Sequence, residues 1–288
     1  MADHPTSGVR RAGVIGALVL VGAVLLGLAA ARLVAFGPLG AAHPSAAGTG
    51  APSRSDPLRI VALGDSVPAD TGCPCRGYVA DLGAVLQGLT HRTTDVRNDA
   101  VAGWTSADVL TALDSGQLSG DLAGADLVVV QAGANDFDPG RIGDPACPPT
   151  ATSPCWRPTL ATLRTGLVGI SRRVRALDTN PDLRIALVGY WNVTVDGAVG
   201  QSRGAQFVTD STALTVVVND TISAVAAQQH DVYVDAFTGF KGPDGRRDPT
   251  PDLQADGDHP NAAGNAILTA AVRYALVDSG ALPVWTAP

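Results

Sequence analysis

The residues best suited to chemistry in this chain fall in four short polar segments. They are Gly64-Asp65-Ser66, "NDAVAGWTS" at 98–106, Gly133-Ala134-Asn135-Asp136 and "DGDHPN" at 256–261. A serine hydroxyl is a weak nucleophile unless an imidazole takes its proton. The imidazole needs a carboxylate to fix its tautomer and stabilise its charged form. The oxyanion of a tetrahedral intermediate needs donors that stand ready before it forms. Ser66 can supply the hydroxyl and, through its own backbone N–H, one donor. Gly103 can offer a second N–H, because no side chain blocks the approach to its backbone. The Asn135 amide can offer a third. His259 is the candidate base. Asp256 lies three residues before it, and a turn brings such positions within about 7 Å at Cα. Together these groups could attack and release an acyl group.

Neighbouring residues read differently. Asp258 directly precedes His259, so in an extended loop its side chain points elsewhere. It is expected to cap the final helix, with Pro260 near the first turn. A calcium loop at 256–261 would need more oxygen ligands at alternating positions and a later glutamate, and none follows. Asp65 and Asp136 are expected to bond loop backbone. Among the other histidines, His4 and His43 precede the main domain, and His91 and His230 fall at predicted helix ends.

From Leu58 onward, apolar strand-like runs alternate with helical patterns. "LRIVALGDS" (58–66), "ADLVVVQAGAND" (125–136), "LRIALVGYW" (183–191) and "DVYVDAF" (231–237) read as strands, with a weaker one in 93–103. Helical spacing occupies 76–89, 106–113, 159–177, 204–229 and 261–280. In 159–177 one face carries Leu160, Leu163, Leu167, Ile170, Val174 and Leu177. Continuous apolar strands separated by helices predict a parallel sheet covered on both faces. Ligands of such sheets sit beyond the carboxyl ends of the strands. The first three polar segments follow predicted strands, and the fourth immediately precedes the closing helix.

The four blocks "VALGDS", "NDAVAGWTS", "GAND" and "DGDHPN", in this order, resemble those of the SGNH (GDSL-type) hydrolase superfamily. The resemblance spans about residues 58–280. It implies an α/β three-layer sandwich around a flavodoxin-like, parallel five-stranded sheet, and serine esterase or lipase activity without a metal or other cofactor. It assigns Ser66 as nucleophile, His259 as base and Asp256 as its orienter, with Ser66, Gly103 and Asn135 forming the oxyanion hole. After the serine this chain reads "VPADTGCPC" where the family more usually has leucine, which bears on the local substrate wall. The expected substrate is a lipid, a small ester or an acylated glycan. An envelope glycan O-acyltransferase and a non-catalytic glycan-binding module are the alternatives.

Composition bounds the rest. Hydrophobic residues make up 45% of the chain and charged residues 16%, which argues against disorder and allows a sizeable core. The formal net charge of -7 gives no basic surface for nucleic acid. After Arg10-Arg11, residues 12–31 are uncharged and long enough to span a bilayer core of about 30 Å. Residues 1–36 are therefore expected to be a signal peptide or membrane anchor, followed by a flexible Pro/Gly/Ala/Ser-rich linker at 37–57 and the hydrolase domain at 58–288. Either fate of the apolar helix predicts an extracytoplasmic domain, secreted or anchored to the cell membrane, and read as a monomer. Cys73, Cys75, Cys147 and Cys155 suggest two disulfides in an exported domain. Their spacing fits no common zinc site, and local and cross-linked pairings both stay open. Asn192-Val193-Thr194 and Asn219-Asp220-Thr221 match glycosylation acceptors. Insertions at 138–158, with Trp156, and at 238–255, with Lys241, Arg246 and Arg247, are expected to border a pocket. Trp104 reads equally as a substrate platform or as core.

Overall fold

The computed structural model of the chain describes residues 56–286. The apolar helix expected at the N-terminus and nearly all of the linker lie outside the described residues. Among the described residues, no helix is long and apolar enough to cross a membrane.

The chain runs β1 (Leu58–Gly64), α1 (Tyr78–Thr90), β2 (Thr94–Asn98), α2 (Ser106–Asp114), α3 (Ser119–Leu122), β3 (Leu127–Gln131), α4 (Arg157–Leu177), β4 (Arg184–Val188), α5 (Gly197–Ser202), α6 (Ala205–Gln229), β5 (Val232–Val234), α7 (Phe237–Lys241), α8 (Ala262–Asp278) and α9 (Ala281–Thr286). The five strands pair in parallel, in the order β2-β1-β3-β4-β5. This is the expected flavodoxin-like sheet.

Successive side chains of a strand point to opposite faces, so each central strand feeds two cores. Val61, Leu63, Val128, Val130, Ile185 and Leu187 join one apolar layer with residues of α2, α4 and α6. Ile60, Ala62, Leu127, Val129, Ala186 and Val188 join the other, with residues of α1 and α8. Both layers exclude water, which explains why the inner strands read as unbroken apolar runs. The predicted face of α4 is buried from Leu160 to Val174, and only Leu177 is half-exposed.

The strand order reverses direction between β1 and β3. In sheets of this order, the crevice beyond the carboxyl ends of those two strands is where ligands bind. Ser66 follows β1 and Asn135 follows β3.

The cysteines pair locally. Cys73 joins Cys75 and Cys147 joins Cys155, with Cα separations of 5.0 and 5.4 Å. The second bridge belongs to a loop held on the core by Trp156, whose Nε1 donates to Cys147 O at 3.2 Å and whose ring meets Phe137 at 6.1 Å.

Candidate active site

β1 ends at a residue that can only be glycine. Gly64 has φ +143°, and a Cβ there would lie 1.9 Å from the carbonyl oxygen of Gln131. The strand therefore presses directly against β3, and Asp65 N–H continues the contact by donating to Gln131 O at 3.0 Å. The chain then turns. Asp65 Oδ1 accepts from Val67 N at 3.0 Å, and its Oδ2 accepts from the Tyr190 hydroxyl at 2.5 Å. Burial pushes the Asp65 carboxyl up to about 7, against these two bonds, which favour its charged form. Ser66 is half-buried, and neither its Oγ nor its backbone N–H bonds to another described residue.

The loop after β2 is tied to this turn. Val101 N donates to Gly64 O at 3.0 Å, and Asn98 Nδ2 donates to Pro68 O at 2.7 Å. Gly103 follows at φ +85°, a left-handed conformation that side chains disfavour, and a Cβ there would point into open space. Its N–H has no acceptor among the described residues. Asn135 sits in a single 3-10 turn after β3, and its Nδ2 donates to Trp104 O at 2.9 Å. One amide hydrogen is thus used to hold the side chain against the Gly103 loop, and the other remains. Asp136 accepts from Ser106 N at 2.9 Å and from Ser106 Oγ at 2.6 Å. Burial raises its carboxyl and the Ser106 bonds oppose the rise. Asp65 and Asp136 thus both bond loop backbone, as expected. Trp104 is half-buried and packs against the core.

His259 and Asp256 meet. His259 Nδ1 lies 2.7 Å from Asp256 Oδ2, while Asp256 Oδ1 accepts from the backbone N–H groups of Asp258 (2.9 Å) and His259 (3.0 Å). Burial acts to raise the Asp256 carboxyl, but these bonds outweigh it and hold the group below the usual carboxylate range. Asp256 is therefore charged where it faces the imidazole. The loop is anchored to the segment after Ser66 by Gln254 Nε2 to Thr71 O (3.1 Å), and α8 behind it is anchored to the start of α1 by Tyr78 N to Asn265 Oδ1 (3.0 Å).

The expected helix cap is corrected. Asn261, not Asp258, caps α8, its side chain accepting from Ala263 N at 2.8 Å and Gly264 N at 3.2 Å. Asp258 is one turn too early to reach those amides. Its carboxyl bonds to no described residue and is raised by burial, with the nearby His259 opposing.

The two insertions are also less open than expected. Trp156 is buried in the core. Lys241 points inward, its Nζ 3.0 and 2.8 Å from the two carboxylate oxygens of Asp196. Asp196 N in turn donates to Gly257 O at 2.7 Å, between Asp256 and Asp258. Arg247 Nη1 donates to Phe240 O and to Asp252 Oδ2. These cations brace the His259 loop from behind because each finds a carboxylate or carbonyl partner there. Arg246 is exposed. His91 and His230 take left-handed conformations as the C-caps of α1 and α6.

Both candidate glycosylation residues are internal. Asn192 is 3% exposed and its Oδ1 accepts from Thr194 N. Asn219, on α6, is 7% exposed and bonds both backbone groups of Tyr190, its Oδ1 accepting at 2.9 Å and its Nδ2 donating at 2.8 Å. Sequence reasoning missed Asp196, Tyr190 and Asn219 as parts of the site's support. Each acts through a partner on a different element, and no local pattern marks it.

The GDSL-like lipase/acylhydrolase family matches residues 62–267, which includes all four polar segments. No match was found among curated proteins. Among solved structures, the lipase Lip_vut3 from a goat rumen metagenome is similar at TM-score 0.58 and 14% identity, covering 76% of this chain and 97% of its own. TesA is similar at TM-score 0.51 and 24% identity, covering 77% and 99%. Axe2, an acetylxylan esterase from Geobacillus stearothermophilus, is similar at TM-score 0.52 and 20% identity, covering 79% and 97%. At these identities the likeness is one of fold. The family match, together with a five-stranded parallel sheet that carries its four blocks to one region, leads to one conclusion: this chain belongs to the GDSL-like lipase/acylhydrolase family and is a carboxylic ester hydrolase.

Proposed function

We propose that the chain is an extracytoplasmic serine esterase that hydrolyses O-acyl esters through an acyl-enzyme on Ser66. The observation that carries this reading is the Asp256–His259 bond of 2.7 Å on a loop tied to the Ser66 turn. Asp256 fixes the imidazole with Nδ1–H towards the carboxylate, so Nε2 is left to take the Ser66 proton. Ser66 Oγ attacks the ester carbonyl. The oxyanion is received by the N–H groups of Ser66 and Gly103, both without other acceptors among the described residues, and by the remaining amide hydrogen of Asn135. His259 then gives its proton to the leaving alkoxide, and the alcohol departs. Water attacks the acyl-serine with His259 again as base, and the acid is released.

Two observations support an extracytoplasmic setting: the uncharged stretch 12–31 after Arg10-Arg11, and two local disulfides. The substrate is read as a lipid, small ester or acylated glycan, in keeping with solved folds of this kind that are described as a lipase and as an acetylxylan esterase. The test is hydrolysis of short p-nitrophenyl esters by the wild type and by Ser66→Ala. Activity is expected only in the wild type, and unchanged turnover in a folded Ser66→Ala variant refutes the assignment. A panel that varies acyl length and alcohol, with a sugar acceptor in one arm, separates lipase, glycan esterase and acyltransferase.

A further inference from the structure

We infer that Tyr190 is a positioning residue for the nucleophile, holding the Ser66 backbone in its reactive conformation through the carboxylate of Asp65. The inference rests on the reading of Ser66 as nucleophile.

Residues on either side of Ser66 are clamped by one side chain. Asp65 Oδ1 accepts from the amide of Val67, so the carboxylate closes a tight loop around residue 66. The Asp65 N–H is already committed to Gln131 O on the neighbouring strand. With residue 65 fixed at its amide and residue 67 fixed through the carboxylate, the Ser66 N–H is left without an acceptor among the described residues.

The second carboxylate oxygen carries the link further. Asp65 Oδ2 takes the Tyr190 hydroxyl at 2.5 Å, and both residues are 1% exposed. Tyr190 is not free to wander. Its backbone N–H and C=O are both held by the Asn219 side chain on α6. A path of hydrogen bonds therefore runs from α6, through the exit of β4, to the exit of β1.

A closed loop of this kind needs only a neutral acceptor such as Asn. Burying a carboxylate without a cation in contact is costly, so its presence asks for a reason. The Tyr190 bond supplies one, because a charge-assisted bond is stronger and more directional than a neutral one. The groups that face the Asp65 carboxyl are the Tyr190 hydroxyl from the loop after β4, Tyr78 from α1, and Asp258 and His259 from the loop before α8. Of these, Tyr190 makes the direct side-chain hydrogen bond. Removing its hydroxyl withdraws support from the charged form of Asp65.

Tyr190→Phe deletes one oxygen and tests the link. With p-nitrophenyl acetate, kcat and the rate of Ser66 labelling by a fluorophosphonate are expected to fall about tenfold, with KM within about twofold. The acid limb of the kcat profile is expected to move to higher pH. Asp65→Asn, which keeps an acceptor for the Val67 amide, is expected to fall by a similar factor and to make the Tyr190→Phe change nearly silent in the double variant. Wild-type rates in either single variant, or full additivity in the double, overturn the inference. Failure of the wild type to label at Ser66 overturns the nucleophile assignment instead, so the two outcomes are distinct.

Discussion

Lys241 and Asp196 form a two-pronged ion pair, 45 residues apart in sequence, with both side chains almost fully buried. Asp196 also holds Gly257 O, so the pair stands directly behind the turn that carries Asp256 and His259. Buried pairs add little net stability, but breaking one leaves an uncompensated charge. Lys241→Ala is expected to lose roughly 3–5 kcal/mol in urea unfolding. Lys241→Met combined with Asp196→Asn, which removes both charges and keeps an acceptor for Gly197 N, is expected to regain most of it. A double variant as unstable as Lys241→Ala contradicts this account.

The two aspartates around Gly257 are expected to separate cleanly. Asp256 accepts from the imidazole and two backbone amides, whereas the Asp258 carboxyl makes no such bond. Asp256→Ala is expected to lower kcat by about 10³–10⁴. Asp258→Ala is expected to cost less than about tenfold, as no interaction with the imidazole nitrogen is removed. Steady-state kinetics on one ester decide the order, and the reverse ranking makes Asp258 the orienter.

Removing the Asn135 amide is expected to lower kcat by about 10²–10³ and to leave KM nearly unchanged. In the proposed mechanism its donor is needed once charge develops on the carbonyl oxygen and contributes less to the ground state. An equal rise in KM would mean that Asn135 binds substrate and transition state alike.

The Asp65 carboxyl gives stability a definite pH slope. Burial pushes its folded pKa up to about 7, above the usual carboxylate range, so the folded state holds an extra proton in between. That contribution is present below about 4 and is lost as pH rises through 7, to a total of a few kcal/mol. Asp256 runs the other way. Its folded pKa is lowered, so its contribution is present above the usual carboxylate range and is lost as pH falls. The difference in unfolding free energy between Asp65→Asn and wild type isolates the first effect. It is expected to favour the variant increasingly from pH 4 to 8, and a flat difference refutes the burial account.

The disulfides close loops of different length, with sequence separations of 2 and 8. The entropy removed from the unfolded chain grows with the logarithm of loop length. Replacing both cysteines by serine at 147 and 155 is therefore expected to cost about 1 kcal/mol more than the same change at 73 and 75. Denaturant unfolding measures it, and equal losses point to folded-state contacts instead.

The sheet was legible because the inner strands are buried on both faces and carry apolar residues at nearly every position, with Arg59, Gln131 and Arg184 the exceptions. The long helices were legible from stripes such as Leu160 to Val174. Asp256 and His259 are three residues apart, so local geometry sufficed to join them. Lys241 and Asp196 share no local pattern, and neither do Tyr190 and Asp65, 125 residues apart. Their pairing depends on how β4, α5 and α7 pack. The cap of α8 was misplaced for a local reason: Asp258 and Asn261 are both good caps, and the helix starts only at Ala262.

The buried state of Asn192 and Asn219 constrains how the protein can be made. A host that attaches glycans to nascent chains meets both asparagines before α6 has packed on the sheet. A sugar on Asn219 would have to fit where Tyr190 backbone now lies, so modification and completion of this layer exclude each other. Production in such a host divides the chain between an unmodified product that folds and a modified one that stalls. Replacing Thr194 and Thr221 would close that branch, at the expense of the Thr194 bond to Asn192 Oδ1 and the Thr221 bond to Val217 O.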